Sequence, residues 1–427
     1  MHSSEMRSPA TVGLFATNPF VLTHTERLSS ISTLEALSLP RLVAEALEQE
    51  DLVAAEEAIL ALGMLAIARD PSAKLQLPER HVVRLPKALS DYQRVAAAAA
   101  RAYDSIRQIV GGSPAMARVR QEVWAACFGD SLRCVLHLES VIIDHDVLIL
   151  GETGTGKEAV ASAIQTGLPG DEHGGPAPSS ALNAAAVPET LLESELFGHV
   201  KGAFTGALES RQGMIRRARG GCFFLDEVGD LRESTQVKLL RVMETNLVSP
   251  LGADEGERAD CRYVAATHKD IEAMVERGEF RRDFYQRLAG LVITLPALRD
   301  HTEDIPVIGE RFLERYEVPD DVRERALAWL QKASRLSYAW PGNVRELQNR
   351  LRSVMLGLAS PLGRTAAVAQ TGSALPSSFE SCAASMKDVE NWYLAKVLAK
   401  VDNNYAAASR ILHMDRATIR RRAAQLE

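Results

Sequence analysis

The sequence predicts an α/β fold, a parallel sheet with helices on both faces, to which a helical segment and a small all-α domain are joined. Three observations predict it. Short apolar runs alternate with segments of helical periodicity, which is typical of a parallel sheet covered by helices. The first apolar run leads directly into a glycine-rich loop and a helix. After residues 295–296 the pattern becomes wholly helical, and a basic helical tail closes the sequence.

Three buried strands are expected from the apolar runs. They lie at 146–150, 222–225 and 262–267, and helical sequence separates them. Strands that are buried on both faces form continuous apolar runs rather than alternating patterns. The second strand ends in two acidic residues, so functional side chains are expected at that end of the sheet.

Changes in composition divide the sequence into five segments. Apolar residues recur at helical spacing over 40–69 and over about 89–110, and a stretch rich in Gly, Ser, Pro and Thr marks a linker. The predicted segments are an N-terminal helical region of unknown role (1–110), an α/β subdomain (111–295), a helical lid (296–359), a linker (360–385) and a basic helical domain (386–427).

Composition is that of a soluble globular protein with more than one domain. The 427 residues are 46% hydrophobic and 25% charged, and a net charge of −7 argues against a chain that coats nucleic acid along its whole length. Five scattered cysteines without CxxC spacing support neither a disulfide framework nor a zinc site. No signal pattern and no membrane-spanning apolar run is present, so we expect a cytoplasmic protein without a membrane partner.

A phosphate-binding loop is predicted between the first strand and the next helix. The segment fits GxxxxGK in the strand–loop–helix context that this motif needs. Its glycines let backbone N–H groups point at phosphate oxygens, and the helix adds its positive end. A glycine turn that binds nothing is the alternative, which the complete context disfavours. The predicted nucleotide-binding residues are Gly151, Glu152, Thr153, Gly154, Thr155, Gly156, Lys157 and Glu158.

The acidic pair Asp226-Glu227 is the expected partner of this loop. Glu158 stands where the general motif has the Ser or Thr that holds Mg²⁺, so the metal must depend more on the acidic pair. Asp226 is predicted to hold Mg²⁺, directly or through water, and Glu227 to orient and polarise the attacking water. Loop and acids together predict ATP and Mg²⁺ as ligands. A strand that ends in two acids could by itself be a solvated turn.

The hexapeptide GAFTGA at 202–207 is the most specific motif of the sequence. Together with a phosphate loop that includes Glu158, it resembles the AAA+ activators of sigma-54 RNA polymerase, the bacterial enhancer-binding proteins, over residues 113–350 and the tail. The resemblance implies a AAA+ P-loop ATPase fold and a loop that grips sigma-54 during ATP turnover. Spacing alone would leave open a hairpin turn with a buried phenylalanine. The implied sigma-54 contacts are Gly202, Ala203, Phe204, Thr205, Gly206 and Ala207.

Other positions match that family in chain order. The resemblance implies that Asn183 pairs with Glu227 as a nucleotide-dependent switch. It also implies that Thr267 is the first sensor of the nucleotide, although the next residue, usually Asn in the family, is His268 here. Arg345, in a segment similar to the second sensor, would touch the nucleotide from the helical lid.

Two arginines match the arginine-finger segment of the family. Arg281 and Arg287 would project into the site of a neighbouring subunit and stabilise charge on the transferred phosphoryl group. A surface salt bridge is the commoner fate of an arginine. A finger that acts between subunits predicts that an isolated monomer is a poor ATPase, and the family forms rings, usually hexamers.

The tail over 386–427 is predicted to be a helix-turn-helix domain. Two helical segments are joined by a short turn, and basic residues gather on the last helix, which would enter a major groove of DNA. The tail resembles the Fis-type domain of the same family, and a small helical cap with a solvated basic face is the alternative. The candidate DNA contacts are Thr418, Arg420, Arg421 and Arg422.

The leading hypothesis is a transcription activator. It would bind upstream, or enhancer, DNA, assemble into a ring and remodel closed complexes of the sigma-54 RNA polymerase holoenzyme by ATP hydrolysis. One alternative is a AAA+ motor that acts on another protein or on DNA. A second is a DNA-binding regulator that binds ATP but hydrolyses it poorly, to which His268 lends slight support. The activating signal and the DNA sequence are not visible in the residues.

Overall fold

The computed structural model describes residues 18–20, 39–358, 390, 392–394, 397–398, 408–409, 412 and 414–423. It separates the chain into two compact units, Met1–Ser360 and Pro361–Glu427. The predicted linker at 360–385 lies outside the described residues. Within the described part of the chain, no helix is long and apolar enough to cross a membrane.

The first unit begins with the helices expected from periodicity. The single helical stretch predicted over 40–69 is two helices, since Asp51 caps a new helix by accepting a hydrogen bond from the Ala54 amide. The helices before the sheet are α1 (Leu39–Glu48), α2 (Leu52–Arg69), α3 (Glu79–Val82), α4 (Leu89–Ile106), α5 (Pro114–Phe128) and α6 (Leu132–Asp144).

A five-stranded parallel sheet forms the centre of this unit. The strands of this unit are β1 (Val147–Leu150), β2 (Ser179–Asn183), β3 (Gly198–His199), β4 (Arg211–Gln212), β5 (Cys222–Asp226), β6 (Leu247–Val248), β7 (Glu257–Arg258), β8 (Arg262–Thr267) and β9 (Leu291–Thr294). The order in the central sheet is β2-β5-β8-β1-β9, and all of its pairings are parallel. Two short antiparallel pairs, β3-β4 and β6-β7, lie outside it.

Helices cover both faces of the sheet, as predicted. Alternate side chains of the strands enter two separate cores, so that Ile149 faces one core and Leu148 the other. The first core also takes apolar side chains of α2, α4, α5 and α6. The helices between β1 and β9 are α7 (Lys157–Thr166), α8 (Glu189–Phe197), α9 (Met214–Arg217), α10 (Glu233–Thr245), α11 (Ile271–Glu276) and α12 (Arg282–Leu288).

The segment after β9 is helical, as the sequence predicts. Its helices are α13 (Ile305–Leu313), α14 (Asp320–Ala333) and α15 (Asn343–Met355). Gly309 permits the closest approach between α13 and α14, because a Cβ there would lie 2.3 Å from a methyl carbon of Leu330. The Trp340 ring is fully buried and meets the rings of Trp329 and Tyr338 edge to face.

Among its described residues, the second unit has a small apolar core and the helix α16 (Arg416–Ala423). The core joins Ile419 of this helix to Leu394, Val397, Leu398 and Ala408. Asp415 caps α16 by accepting a hydrogen bond from the Thr418 amide at 2.9 Å. Much of the predicted helix-turn-helix lies outside the described residues, so that motif stays a prediction.

A buried carboxylate joins the N-terminal helices to the helix before β1. Glu56 of α2 is 1% exposed and accepts hydrogen bonds from Arg133 Nε at 2.7 Å and Tyr92 Oη at 3.0 Å. His137 Nε2 lies 3.1 Å from both carboxylate oxygens. Burial raises the pKa of Glu56, but the bonds from Arg133, His137 and Tyr92 outweigh it and hold that pKa below its ordinary value. The network therefore ties residues 39–106 to the sheet unit.

We predict that Glu56→Gln lowers the free energy of unfolding by about 2–4 kcal/mol at neutral pH, because Arg133 loses its charged partner. A carboxyl whose pKa is lowered by folding stabilises the protein above its ordinary pKa, and this contribution is lost as the pH falls. The difference from wild type should therefore shrink below about pH 4. Chemical denaturation over pH 3.5–8 measures it.

The neighbouring Glu57→Gln is the matched control. Burial raises the pKa of Glu57, so removal of its charge should leave stability unchanged or slightly increased. Equal losses in the two variants would contradict the assignment of the network to Glu56.

Candidate active site

Parallel pairing brings the carboxyl ends of four strands to one edge of the sheet. The register pairs Leu150 with Thr267, Asp226 with Ala266, and Asn183 with Asp226. The residues that follow β1, β2, β5 and β8 are therefore neighbours, although up to about a hundred positions separate them in the chain. The structure thus brings together the predicted phosphate loop, the acidic pair, Asn183 and Thr267.

The loop after β1 adopts a backbone that requires glycine. Gly154 and Gly156 have φ values of 83° and 106°, in the left-handed region. A Cβ at Gly154 would lie 2.4 Å from the carbonyl oxygen of Gly342, so the loop could not approach the lid with a larger residue there. Helix α7 begins at Lys157, directly after Gly156. This is the strand–loop–helix arrangement that presents backbone N–H groups to phosphate.

Lys157 is buried at the centre of this loop. Its ammonium donates hydrogen bonds to the carbonyl oxygens of Gly151 at 2.9 Å and Glu152 at 3.2 Å. Burial lowers the pKa of Lys157, whereas the charges of Glu227 and Asp226 act in the opposite direction. Lys157 and the acidic pair therefore share one electrostatic environment.

The lid holds the phosphate loop through contacts that sequence reasoning missed. Glu152 accepts two hydrogen bonds from Arg299, at 2.9 and 2.6 Å. Asn343, which is buried and has a φ of 50°, donates to Glu152 and to the Thr153 carbonyl oxygen, both at 3.1 Å. The side chain of Glu152 therefore links loop and lid, while only its backbone is left for the predicted phosphate site.

Arg345 stands beside the phosphate loop, in the first turn of α15. The amide of the preceding residue, Val344, donates to the Gly154 carbonyl oxygen at 3.0 Å. The Cβ of Arg345 lies 3.1 Å from the position that a Cβ on Gly154 would take. The backbone and Cβ of this exposed residue are thus held next to the loop, where the sequence predicts a lid residue that touches the nucleotide.

Asp226 ends β5 as a buried carboxylate. Burial raises its pKa, and the adjacent charge of Glu227 raises it further. Asn183 Nδ2 donates to Asp226 Oδ2 at 2.7 Å, so the predicted pairing of Asn183 with Glu227 is not the one that the structure shows. The reason is the register, which makes Asn183 and Asp226 direct cross-strand partners.

A divalent cation fits the chemistry of this position. The buried carboxylate of Asp226 has a raised pKa, and a cation would relieve the cost of its charge. Among the described residues, no group of three or more His, Cys, Asp or Glu side chains could hold a metal ion. A single carboxylate together with substrate phosphates is the usual arrangement for Mg²⁺.

Glu227 is held at the turn after β5 in an unusual backbone conformation. Its φ of 55° lies in the left-handed region, which a residue with a side chain rarely adopts and which recurs at functional sites. Glu227 Oε2 accepts hydrogen bonds from His268 Nδ1 at 2.7 Å and, more weakly, from Thr267 Oγ1 at 3.5 Å. Thr267 is fully buried beneath it. Contact between Glu227 and His268 was not expected from the sequence.

The two predicted finger arginines have different surroundings. Arg281 is 37% exposed in its side chain and pairs with Asp283 at 2.8 Å and Glu233 at 3.2 Å, both on the surface. Arg287 lies 2.7 Å from the carboxylate of Asp146, which is 1% exposed. Burial raises the pKa of Asp146 to about 7, and Arg287 acts against that rise. Arg281 therefore lies at the surface between exposed carboxylates, whereas Arg287 pairs with a buried carboxylate of its own chain.

The GAFTGA segment forms an exposed loop between β3 and β4. Gly202 and Gly206 have φ values of 84° and 107°, and no atom lies within 4 Å of a Cβ at either position. The Gly202 amide donates to the Ala207 carbonyl oxygen at 2.9 Å, which closes the loop. Phe204 is 38% exposed and meets the His199 ring edge to face at 5.1 Å. The alternative of a hairpin with a buried phenylalanine is therefore wrong.

A cavity of about 200 Å³, which no sequence pattern predicts, adjoins the phosphate loop. Gly156 and Ala159 line one side, and the lid lines the other. His301 is buried at its wall and bonded through Nδ1 to Asp304 at 3.1 Å. Its apolar walls include Ile109, Val110, Leu295, Ile308, Phe312 and Val344. The space suits a flat, mostly apolar group attached to phosphates.

The predicted DNA contacts lie on α16 of the second unit. Arg420 and Arg421 are exposed, and Arg422 pairs with Glu390 at 2.9 Å. The hydroxyl of Thr418 bonds to Asp415 as part of the helix cap. The helix is therefore basic on its surface, and its binding to DNA stays a prediction.

Fold and site together define the class of protein. Four features make up a AAA+ P-loop ATPase fold. They are a parallel sheet of this strand order, a phosphate loop after β1, an acidic pair at the end of β5, two strands away, and a helical lid against the loop. Residues 132–294 match the family model of the sigma-54 interaction domain, and residues 299–365 match that of the AAA+ ATPase lid domain.

Curated relatives carry the same central region. The chain is 39% identical over 277 residues to the transcriptional regulatory protein GlrR of Escherichia coli K12, which covers 64% of this chain and 61% of GlrR. It is 44% identical over 251 residues to the Nif-specific regulatory protein of Azotobacter vinelandii, covering 58% and 44%. It is 35% identical over 334 residues to the anaerobic nitric oxide reductase transcription regulator NorR of Salmonella dublin, covering 74% and 62%. The matches thus span at most about three fifths of these relatives.

We predict unequal effects on stability for substitution of the two matched arginines, a pH-dependent loss for Arg287→Ala and almost no change for Arg281→Ala. Arg287→Ala removes the ion-pair partner of the buried Asp146 carboxyl, so the pKa of Asp146 should rise further. Since a carboxyl whose pKa is raised by folding destabilises the fold as the pH rises, the deficit of this variant should be small at pH 6 and reach about 2–4 kcal/mol at pH 8.5. Arg281→Ala should stay within about 0.5 kcal/mol of wild type at both pH values, because it loses only surface pairs. Denaturant unfolding measures both, and equal effects would contradict the assignment.

Proposed function

We propose that the chain is an ATP-driven transcription activator that remodels closed complexes of sigma-54 RNA polymerase. The observation that carries this proposal is the meeting of a phosphate loop, Asp226 and Glu227 at one sheet edge, in a unit that also exposes the GAFTGA loop. The match to the sigma-54 interaction domain over 132–294 supports it. The similarity of the chain to three transcription regulators also supports a role in transcription.

ATP would bind with its phosphates on the loop and its base in the adjoining cavity. Lys157 and the backbone N–H groups after Gly154 face the phosphates, and Arg345 approaches from the lid. Asp226 would hold Mg²⁺, which neutralises phosphate charge when bound. Glu158 is exposed in the first turn of α7 and adds no ligand that the structure identifies.

Glu227 is the general base of the proposed reaction. Its backbone amide donates to Asp226 Oδ1 at 3.0 Å, and the hydroxyl of Thr267, the proposed first sensor, donates to its carboxylate at 3.5 Å. Attack by water on the terminal phosphorus forms a new P–O bond while the bond to the bridging oxygen breaks. ADP leaves with that electron pair, and the proton of the water passes to Glu227. The switch role of Asn183 would then operate through Asp226, with which Asn183 pairs.

Arg281 would complete the site of a neighbouring subunit. Its charged side chain is 37% exposed and its ion pairs are with surface carboxylates, which suits a side chain that acts in another subunit. The proposal therefore includes a ring, with a hexamer as its form. Arg287, the second matched arginine, is engaged with Asp146 of its own chain.

The GAFTGA loop would transmit the work of the ring to sigma-54. Phe204 presents an apolar ring and Thr205 an exposed hydroxyl on a loop closed by two glycines. The basic helix α16 would place the activator on upstream DNA through Thr418, Arg420, Arg421 and Arg422. Phosphate and base contacts by one small module would explain DNA binding by a chain whose net charge is −7.

A second candidate is a DNA-binding regulator that binds ATP and hydrolyses it poorly. The specific observation that favours it is the hydrogen bond from His268 to Glu227, which occupies one oxygen of the proposed base. ATP turnover by the purified full chain separates the two candidates.

We predict that Thr205→Ala uncouples ATP turnover from transcription. The residue is exposed and contacts no part of the nucleotide site, so ATPase activity should stay within about 2-fold of wild type. Open-complex formation at a sigma-54 promoter, measured in a reconstituted assay with purified polymerase, should fall at least about 10-fold, because a contact at the centre of a small interface is lost. Thr245→Ala, an exposed threonine at the end of α10, is the control and should change neither activity. Full transcription by Thr205→Ala would reject the loop assignment.

A further inference from the structure

The His268 ring is the strongest single contact of the Glu227 carboxylate. Nδ1 of His268 lies 2.7 Å from Oε2, and the His268 amide adds a longer contact at 3.3 Å to the same oxygen. Within the described residues 39–358, no hydrogen bond reaches Oε1 of Glu227. One oxygen of the carboxylate is therefore held and the other is left for a ligand.

The fold places these two residues side by side. Glu227 is the first residue after β5, and His268 is the first residue after β8. The two strands are parallel neighbours with Asp226 opposite Ala266, so their carboxyl ends emerge next to each other. A side chain at position 268 that is long enough to span the gap between the turns after β5 and β8 will contact Glu227, and the imidazole of His268 does so. The contact is thus built into the sheet and does not depend on a chance surface pairing.

We propose that His268 is a positioning residue for the general base, which rests on the proposed ATPase function. Its imidazole fixes Oε2 and thereby directs Oε1 of Glu227 towards the attacking water. Asn183 cannot serve this purpose in the structure, because its amide is bonded to Asp226 and its carbonyl oxygen accepts from the amides of Ala185 and Ala186.

Hydrogen-bond chemistry supports an orienting role rather than a competing one. A carboxylate offers only acceptors, so Nδ1 of His268 must carry the proton in this contact. The bond engages Oε2 alone, so the lone pairs of Oε1 remain available to take the proton of the water. An ionised carboxylate free to rotate would spend much of its time misdirected, and misplacement of about 1 Å lowers rates by about 100-fold.

The test compares His268→Ala and His268→Asn in the purified full chain. We expect the turnover number of His268→Ala to fall about 10- to 100-fold, with the dissociation constant for ATP within about 2-fold of wild type. His268→Asn, whose amide can still donate to Oε2, should recover to within about 5-fold of wild type. Because the His268 side chain is 41% exposed, melting temperatures should match wild type, and His268→Gln serves as a second donor variant.

His173→Ala is the matched control. That histidine also faces a carboxylate, Glu172 at 3.8 Å, but its side chain is 84% exposed and it lies in the loop between α7 and β2. Its turnover number should equal that of wild type.

Three results would overturn the inference. They are a His268→Ala variant that hydrolyses ATP as fast as wild type or faster, a loss that neither His268→Asn nor His268→Gln restores, and a loss that comes from weakened ATP binding alone. A wild-type chain that binds ATP without hydrolysing it would instead defeat the proposed activator function, so the two failures can be told apart.

Discussion

Parallel pairing of β1, β8, β5 and β2 is the constraint on which the site depends. It places Gly151, Thr267, Asp226 and Asn183 at the same edge of the sheet, and no other element needs to bring them together. The two apolar cores hold the strands in this register. A slip of β1 by one residue would point Leu148 and Ile149 each towards the opposite core. The chemistry of the acidic pair is therefore a consequence of core packing.

A second layer of contacts connects this edge to the lid. Asn343, buried and in a left-handed backbone conformation, bonds both to Glu152 and to the Leu298 amide. Movement of the lid would thus shift the phosphate loop, because a few directed hydrogen bonds join the two. The Glu56 network connects the N-terminal helices to the same unit by similar physics, which gives residues 39–106 a route to influence the sheet.

The sequence predicted the parts of the fold that have a strong local signal. The apolar runs at 146–150, 222–225 and 262–267 match β1, β5 and β8 closely, and the phosphate loop was found from its glycines and lysine. Strand β2 was missed because Ser179–Asn183 is mostly polar, and β9 because its short run precedes Leu295-Pro296 without a motif. Both lie at the edges of the sheet, where burial is weaker.

Contacts between distant residues could not be predicted in the same way. Spacing carries no information on whether Asn183 meets Asp226 or Glu227, since this depends on the register of β2 against β5. Spacing is equally uninformative about three other contacts. They are the hydrogen bond between His268 and Glu227, the hydrogen bond from Asn343 to the phosphate loop, and the ion pair between Arg287 and Asp146. Only Arg281 of the two matched arginines remains at the surface with exposed partners.

We propose that the catalytic unit is an interface between two copies of the chain, with Glu227 supplied by one and Arg281 by the other. Mixing two inactive variants, Glu227→Gln and Arg281→Ala, tests it most directly. Each variant alone should hydrolyse ATP at least about 100-fold more slowly than wild type. Mixed rings contain interfaces with an intact Glu227 opposite an intact Arg281, so turnover should reappear at an appreciable fraction of the wild-type rate. A mixture that stays as inactive as its components, although the subunits exchange, would contradict the account.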